Sequence, residues 1–270
     1  MRRVVRLAGI LTVSAVLGSA LAATAWAVPP RRRGRYRSEF LRAWSRATCA
    51  LLGIRIDTVG EPPAEGSWLA VSNHLGYTDI PVLGSVLAGT FVSKAEVSGW
   101  PVVGRLSKLA GTVFCDRERR TAAGDLVNDV AARLAAGERV IVFPEGTSSR
   151  GESILPFKST PFGAVAGVPE ATVLPVHVDV VEIDGEPAVG ASRDRVCWHG
   201  DAAFAPHAFR LLGLRGVRYR VAVGTTIACR HLDRKRLATA AGDQLAALAA
   251  TSARRRPRLP GNFIWVHPLP

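Results

Sequence analysis

Short, nearly uncharged apolar runs alternate along the chain with stretches in which apolar positions recur every three or four residues. The runs at 67–72, 90–93, 112–115 and 139–143 are rich in β-branched and aromatic residues and stop at polar or glycine positions, the pattern of buried strands. Between the last two, Leu126, Val130 and Leu134 fall at i, i+4 and i+8, so residues 120–136 read as a one-sided helix closed by Gly137. A strand, a helix and a strand in that order build parallel sheets. Residues 172–181 and 217–228 read as further strands and 237–250 as an Ala/Leu helix. The expectation is an α/β domain over residues 61–270, a single mainly parallel or mixed sheet flanked by helices.

The first 60 residues follow a different pattern. Residues 7–30 hold no charge, and the stretch 7–28 would reach about 33 Å as a helix at roughly 1.5 Å per residue, enough to cross a bilayer core. A membrane anchor is the expectation. A cleaved signal peptide competes, because Arg2, Arg3 and Arg6 precede the apolar stretch and Ala25-Trp26-Ala27 resembles a cleavage site. Arg31, Arg32, Arg33, Arg35 and Arg37 follow at once, and such a cluster resists translocation and marks a cytoplasmic flank. Residues 39–54 then carry Phe40, Leu41, Trp44, Cys49, Leu51 and Leu52 on one broad face, which suits either a helix resting on lipid headgroups or one packed on the core. Residues 60–66, with Pro62 and Pro63, read as the linker into the domain.

Charge sharpens this picture. The 270-residue chain carries a net +13, and residues 1–60 supply +9 of it through eleven arginines against two acids. Positive charge concentrated beside an apolar segment points to an anionic membrane surface before nucleic acid. Four cysteines, Cys49, Cys115, Cys197 and Cys229, stand far apart, which suggests neither a zinc site nor a disulfide framework and fits a reducing compartment.

The stretch Asn73-His74-Leu75-Gly76-Tyr77-Thr78-Asp79 follows the first buried run, and Ile80, Pro81, Val82 and Leu83 come next. His74 is thereby expected on a strand-to-helix turn, with Asp79 where an N-cap belongs. An imidazole with a carboxylate five residues away has a defined use: the acid holds one ring nitrogen as N–H and leaves the other free to take a proton from a hydroxyl. Taken alone, the pair also fits a loop histidine and a plain helix cap.

Three further stretches follow in order: Gly111-Thr112-Val113-Phe114-Cys115-Asp116-Arg117, Phe143-Pro144-Glu145-Gly146-Thr147 and Val173-Leu174-Pro175-Val176. With His74 and Asp79 ahead of them, and Ser93-Lys94-Ala95-Glu96 between, residues 68–178 resemble the glycerolipid acyltransferase family, whose best-known member is 1-acylglycerol-3-phosphate acyltransferase. The resemblance implies transfer of a fatty acyl group from acyl-CoA or acyl carrier protein to a lysolipid hydroxyl at the cytoplasmic face of the cell membrane. It implies no cofactor, no metal and no nucleic acid. By resemblance His74 is the general base and Asp79 its orienting partner. Arg117, with Lys94, binds an anionic headgroup or the thioester donor; Gly111, Glu145, Gly146 and Thr147 belong to the substrate-binding blocks; and Pro175 is wall material for an acyl groove. The first acceptor implied is 1-acylglycerol-3-phosphate, giving phosphatidic acid. One departure weakens it: many phosphatidic-acid-forming members place arginine after the threonine, whereas here Ser148 and Ser149 precede Arg150. The run 154–159, Ile-Leu-Pro-Phe-Lys-Ser, also looks like branches whose acceptors include lyso-ornithine lipids.

Other functions fit less well. A serine lipid hydrolase lacks its Gly-x-Ser-x-Gly elbow, and a metalloprotease lacks His-Glu-x-x-His. A membrane-tethered binding protein has no use for the His74 and Asp79 pair.

Overall fold

A computed structural model describes residues 1–100, 103–116 and 121–254. Arg117, proposed above as a headgroup ligand, and the basic tail beyond residue 254 lie outside the described residues.

Two 23-residue helices open the chain, α1 (Arg2–Thr24) and α2 (Pro30–Leu52), and Gly53 ends α2 in the left-handed conformation. The alternating core follows: β1 (Ile54–Val59), β2 (Trp68–Ser72), α3 (Asp79–Leu87), β3 (Thr90–Lys94), α4 (Val103–Leu109), β4 (Val113–Cys115), α5 (Ala122–Ala135), β5 (Val140–Val142), α6 (Phe162–Ala166) and β6 (Thr172–Ile183). The short β7 (Glu186–Pro187), α7 (Phe204–Leu211), β8 (Val217–Val223), β9 (Ile227–Ala228) and α8 (Arg234–Arg254) complete it.

Among the described residues the strands form one sheet in the order β1-β8-β6-β2-β5-β3-β4, with β7 and β9 pairing β6. The five strands β6, β2, β5, β3 and β4 are mutually parallel, and β8 runs antiparallel to β6 with β1 parallel beside it. The sheet is therefore mixed and flanked by helices. Its first strand, β1, precedes the division expected at residue 60 and pairs with β8 from Ile54↔Val217 to Val59↔Ala222.

Both faces of the sheet are covered, which explains why β2 reads as an unbroken apolar run. Trp68 and Ala70 join one core with Leu83, Leu87, Ile141 and Tyr219, while Leu69 and Val71 join the other with Val130, Leu134, Val140 and Leu237. At roughly 25 cal/mol per Å² of apolar surface, this two-sided burial is the main stabilising term. Pro175 sits in a central strand without breaking it, because β6 changes antiparallel partner there, from β8 at Val176↔Val223 to β9 at Val173↔Ile227. Five parallel strands ending on one edge set the stage for the site, since ligands of open α/β sheets gather at carboxyl ends.

Candidate active site

β2 ends at Ser72, and the backbone leaves the sheet through Asn73, whose side chain extends the ladder. Its Nδ2 donates to the Val178 carbonyl and its Oδ1 accepts the Val178 N–H, each at 2.9 Å. With the exit so fixed, His74 projects from the carboxyl edge and keeps its side chain 23% exposed. The His74 Nδ1 stands 2.7 Å from Asp79 Oδ2. That same oxygen accepts the Leu75 N–H at 2.6 Å and the Gly76 N–H at 3.0 Å. The sequence put Asp79 at the N-cap, and the structure corrects this. Thr78 holds the cap position and Asp79 opens α3, fully buried, with its carboxylate turned back onto the preceding turn. An acceptor-only carboxylate surrounded by N–H donors requires Nδ1 to carry the proton, which leaves Nε2 as the basic nitrogen.

Phe143, directly after β5, stacks on the imidazole at 4.1 Å between centroids and 17° between planes. Two residues on, Glu145 is buried, with Oε2 accepting the His74 N–H at 3.0 Å and Oε1 the Leu155 N–H at 2.9 Å. Burial raises its pKa above the ordinary value, partly countered by those two N–H donors and by His74, with Asp79 adding to the rise. Glu145 therefore ties the base of the 146–155 loop to the catalytic turn. The Ser149 N–H adds a bond to the His74 carbonyl at 2.8 Å. Gly146 turns this loop at φ 74°, with Lys158 lying across the space a side chain would occupy.

The opposite wall comes from segments after β6. The Trp198 N–H donates to the Leu75 carbonyl at 2.8 Å. Tyr77 donates to His207 Nδ1 at 2.7 Å, a direction set by His207 Nε2, which donates to the Asp194 carbonyl at 3.0 Å. Burial lowers the His207 pKa, which matches a neutral ring in this relay. The Asp194 carboxylate grips Arg150 through two bonds of 2.7 and 2.8 Å and takes His199 Nε2 at 2.9 Å. Arg193, buried beneath, joins the Arg150 carbonyl at 2.7 Å to Asp179 at 2.9 Å, so the 146–151 loop is held from both sides.

Of the residues singled out from the sequence, His74, Asp79, Glu145 and Gly146 are brought together, and Thr147 lies exposed on the same loop. Lys94 ends β3 on the same edge of the sheet, opposite Cys115 of β4. Pro175 is buried within β6 opposite Val71, below that edge. Gly111 is placed elsewhere, at the amino end of β4, where its φ of 81° closes the turn after α4 against Arg37. The sequence assigned no site role to Asn73, Tyr77 or His207, nor to Phe143, although Phe143 opens one of the blocks quoted above. Asn73 and Tyr77 stand inside the His74 block, but their partners Val178 and His207 are 105 and 130 residues away.

Taken together, the site offers a hydroxyl a base whose tautomer is fixed, on the open carboxyl edge of the sheet, with a second ring nitrogen that the Asp79 contact does not use. That suits deprotonation of an alcohol supplied by the substrate. A family model described as Acyltransferase matches residues 54–179, the span from β1 to β6 that carries the site. The chain is 36% identical over 224 residues to the lyso-ornithine lipid O-acyltransferase of Rhizobium meliloti, covering 80% of this chain and 77% of that one. It is 34% identical over 128 residues to the 1-acyl-sn-glycerol-3-phosphate acyltransferase of Neisseria gonorrhoeae, covering 47% of this chain and 50% of that one. In fold it matches the crystal structure of the 1-acyl-sn-glycerophosphate acyltransferase PlsC from Thermotoga maritima, with a TM-score of 0.65 at 18% identity over 94% of this chain and 99% of that one. The catalytic turn, its mixed sheet and these likenesses agree, and the chain belongs to the glycerolipid acyltransferase family.

Proposed function

We propose that the protein moves a fatty acyl group from acyl-CoA or acyl carrier protein to the hydroxyl of a lysolipid, with His74 as general base. The observation that carries this reading is the 2.7 Å contact between His74 Nδ1 and Asp79, which dedicates Nε2 to the acceptor. The acceptor oxygen attacks the thioester carbonyl as its proton passes to Nε2; the C–O bond forms, the C–S bond breaks, and the leaving thiolate takes the proton from the imidazolium. Asp79 stabilises that imidazolium without itself being protonated, and no acyl-enzyme is needed because the thioester is already activated.

For the acceptor, lyso-ornithine lipid is the reading favoured over 1-acylglycerol-3-phosphate. Arg150, displaced in sequence from the position after Thr147, is committed to Asp194 through two hydrogen bonds and approaches Glu152 at 3.7 Å, so it is not presented to a phosphate. Similarity over three quarters of the chain to lyso-ornithine lipid enzymes supports the same choice. Incubation of purified protein with labelled acyl-CoA and a panel of lysolipids, beside His74→Ala, tests both parts. Transfer to lyso-ornithine lipid that His74→Ala abolishes is expected; preferred transfer to 1-acylglycerol-3-phosphate would reverse the acceptor choice, and transfer surviving in His74→Ala would remove the mechanism.

The same reading places the protein on the cytoplasmic face of the cell membrane, with α1 lying in one leaflet. Arg2–Ala27 is long and apolar enough to cross a bilayer, yet α1 is tied down along its length. Arg6 donates to the Leu212 and Leu214 carbonyls, Trp44 of α2 donates to Ser14 at 2.9 Å, and Gly18 packs on Leu106 of α4. A helix packed on its own domain along part of its circumference presents the rest, here with Val4, Val5, Leu7, Leu11 and Val16, to lipid.

A further inference from the structure

We propose that α7 is a second bilayer-contacting element, which carries the lipid surface from α1 to the rim of the catalytic turn. The occupant is an anionic membrane, and the inference rests on the reading of α1 as membrane-embedded.

Of the twelve large apolar side chains exposed among the described residues, ten lie on α1 with its N-cap Met1 and the turn after it, on α4 and on α7. Those outside α1 and its turn are Val103, Phe204 and Phe209, at 43%, 36% and 49% exposure. Scattered apolar residues need no explanation, but a patch confined to one surface does. The three helices are joined in a ring. Gly18 of α1 meets Leu106 of α4; Trp100, just ahead of α4, lies 5.1 Å from Phe204 of α7; and the Arg3 guanidinium of α1 covers the Phe209 ring at 4.8 Å. At the ring's inner edge Phe204 touches Tyr77 at 5.1 Å, and His207, on the buried side of α7, accepts the Tyr77 hydroxyl. The exposed side of α7 thus faces away from a helix whose buried side holds the catalytic turn.

Charge selects the partner. Arg3, Arg195 and Arg210, with Asp194, Gly213 and Leu214, line a cavity of about 460 Å³ between α7 and the amino end of α1, three arginines against one acid, and Arg3 also covers Phe209. Aromatic rings flanked by arginines match the boundary between headgroups and acyl chains, where rings sit at the glycerol level and guanidinium groups meet phosphates. A lysolipid in that leaflet would then have its hydroxyl carried to the edge where His74 waits, without leaving the bilayer.

The test uses the full chain in lipid nanodiscs of phosphatidylcholine with phosphatidylglycerol, in a Cys115→Ser background, because Cys115 is half-buried and the other three cysteines are buried. Spin labels are placed through Phe209→Cys, through Leu11→Cys on the outer face of α1, and through Glu170→Cys, which is exposed beside β6. Collision rates with oxygen and with a nickel chelate distinguish lipid from water. Position 209 is expected to favour oxygen as position 11 does, and more strongly with phosphatidylglycerol than with phosphatidylcholine alone. If 209 matches the nickel-favouring 170 while 11 stays in lipid, the inference about α7 falls and the placement of α1 stands; if 11 also favours nickel, both fall. Phe209→Asp should lower turnover of lysolipid in vesicles about tenfold, the scale of one buried aromatic ring, while turnover of a short-chain soluble acceptor stays within about twofold. Equal loss on both acceptors would overturn the inference.

Discussion

Glu145 and His74 meet through the backbone: the carboxylate takes the histidine's N–H at 3.0 Å, and its ring is left to Asp79. Each Glu145 oxygen serves one N–H, so Glu145→Gln turns an amide NH₂ against either His74 or Leu155 and costs about 1–3 kcal/mol in denaturant unfolding. The two proteins should also differ in pH dependence. Burial raises the folded pKa of Glu145 above its ordinary 4.5, so between those values the folded state holds more protons than the unfolded one. Stability from this group is present below pH 4.5 and is lost as pH rises through the raised value. Wild-type protein should therefore lose stability relative to Glu145→Gln on passing up through that window; a parallel pair of curves would contradict the shift.

His74→Ala removes the base but leaves a turn whose backbone is held by Asp79, Glu145 and Ser149. Transfer should fall about 10²–10⁴-fold, the range of general-base catalysis, with the circular dichroism spectrum unchanged. Release of free CoA thiol in the presence of acceptor measures it. A loss below tenfold would assign the proton to another group.

Asp79→Asn separates holding the turn from stabilising the imidazolium. Its amide oxygen can still accept the Leu75 and Gly76 N–H groups, but the negative charge beside Nδ1 is gone. The expected result is a kcat reduced by about 10² or more with the KM values for both substrates nearly kept, because the lost interaction strengthens only as the imidazole gains its proton. A raised KM at unchanged kcat would make Asp79 a structural residue alone.

How far these features could be read from the sequence depended on how local their causes are. Strands β2 to β6 were legible because both faces of the sheet are covered, and two-sided burial writes itself as continuous apolar runs. β1 was not: Arg55 and Asp57 interrupt Ile54, Ile56 and Val59, as suits an edge strand, and its partner β8 lies some 160 residues on, as in Asp57 with Arg218. The spacing of His74 and Asp79 was visible, yet Asp79 looked like a cap for its own helix because a carboxylate ahead of an apolar run does the same in either direction. Arg150 showed a displaced charge in the sequence; only the fold supplies Asp194, 44 residues away, that holds it.

Two glycines of the site should respond differently to alanine. At Gly76, φ is 149° and a new Cβ would lie 2.9 Å from the Trp198 backbone nitrogen, which the Leu75 carbonyl holds in place. At Gly146, φ is 74° and the obstacle is the flexible end of Lys158, at 2.8 Å. Both pay the left-handed strain of about 1–2 kcal/mol, but only Gly76→Ala must also move backbone beside His74. Gly76→Ala should lower the thermal midpoint further and lose activity; Gly146→Ala should keep most of its kcat. Equal midpoints would show that the Trp198 segment yields.

Tyr77 and His207 provide a test of whether the wall built from α7 is coupled to the catalytic turn. Tyr77→Phe leaves the buried Nδ1 of His207 without its 2.7 Å donor, a loss of about 1–3 kcal/mol. His207→Phe strands the Tyr77 hydroxyl and the Asp194 carbonyl, since His207 Nε2 donates to the latter at 3.0 Å. If the relay acts as a unit, the double variant is destabilised by less than the two single losses added, with a coupling of about 0.5–3 kcal/mol in denaturant unfolding. Additive losses would mean that Tyr77 and His207 each pack independently, and that α7 does not transmit its position to the turn carrying His74.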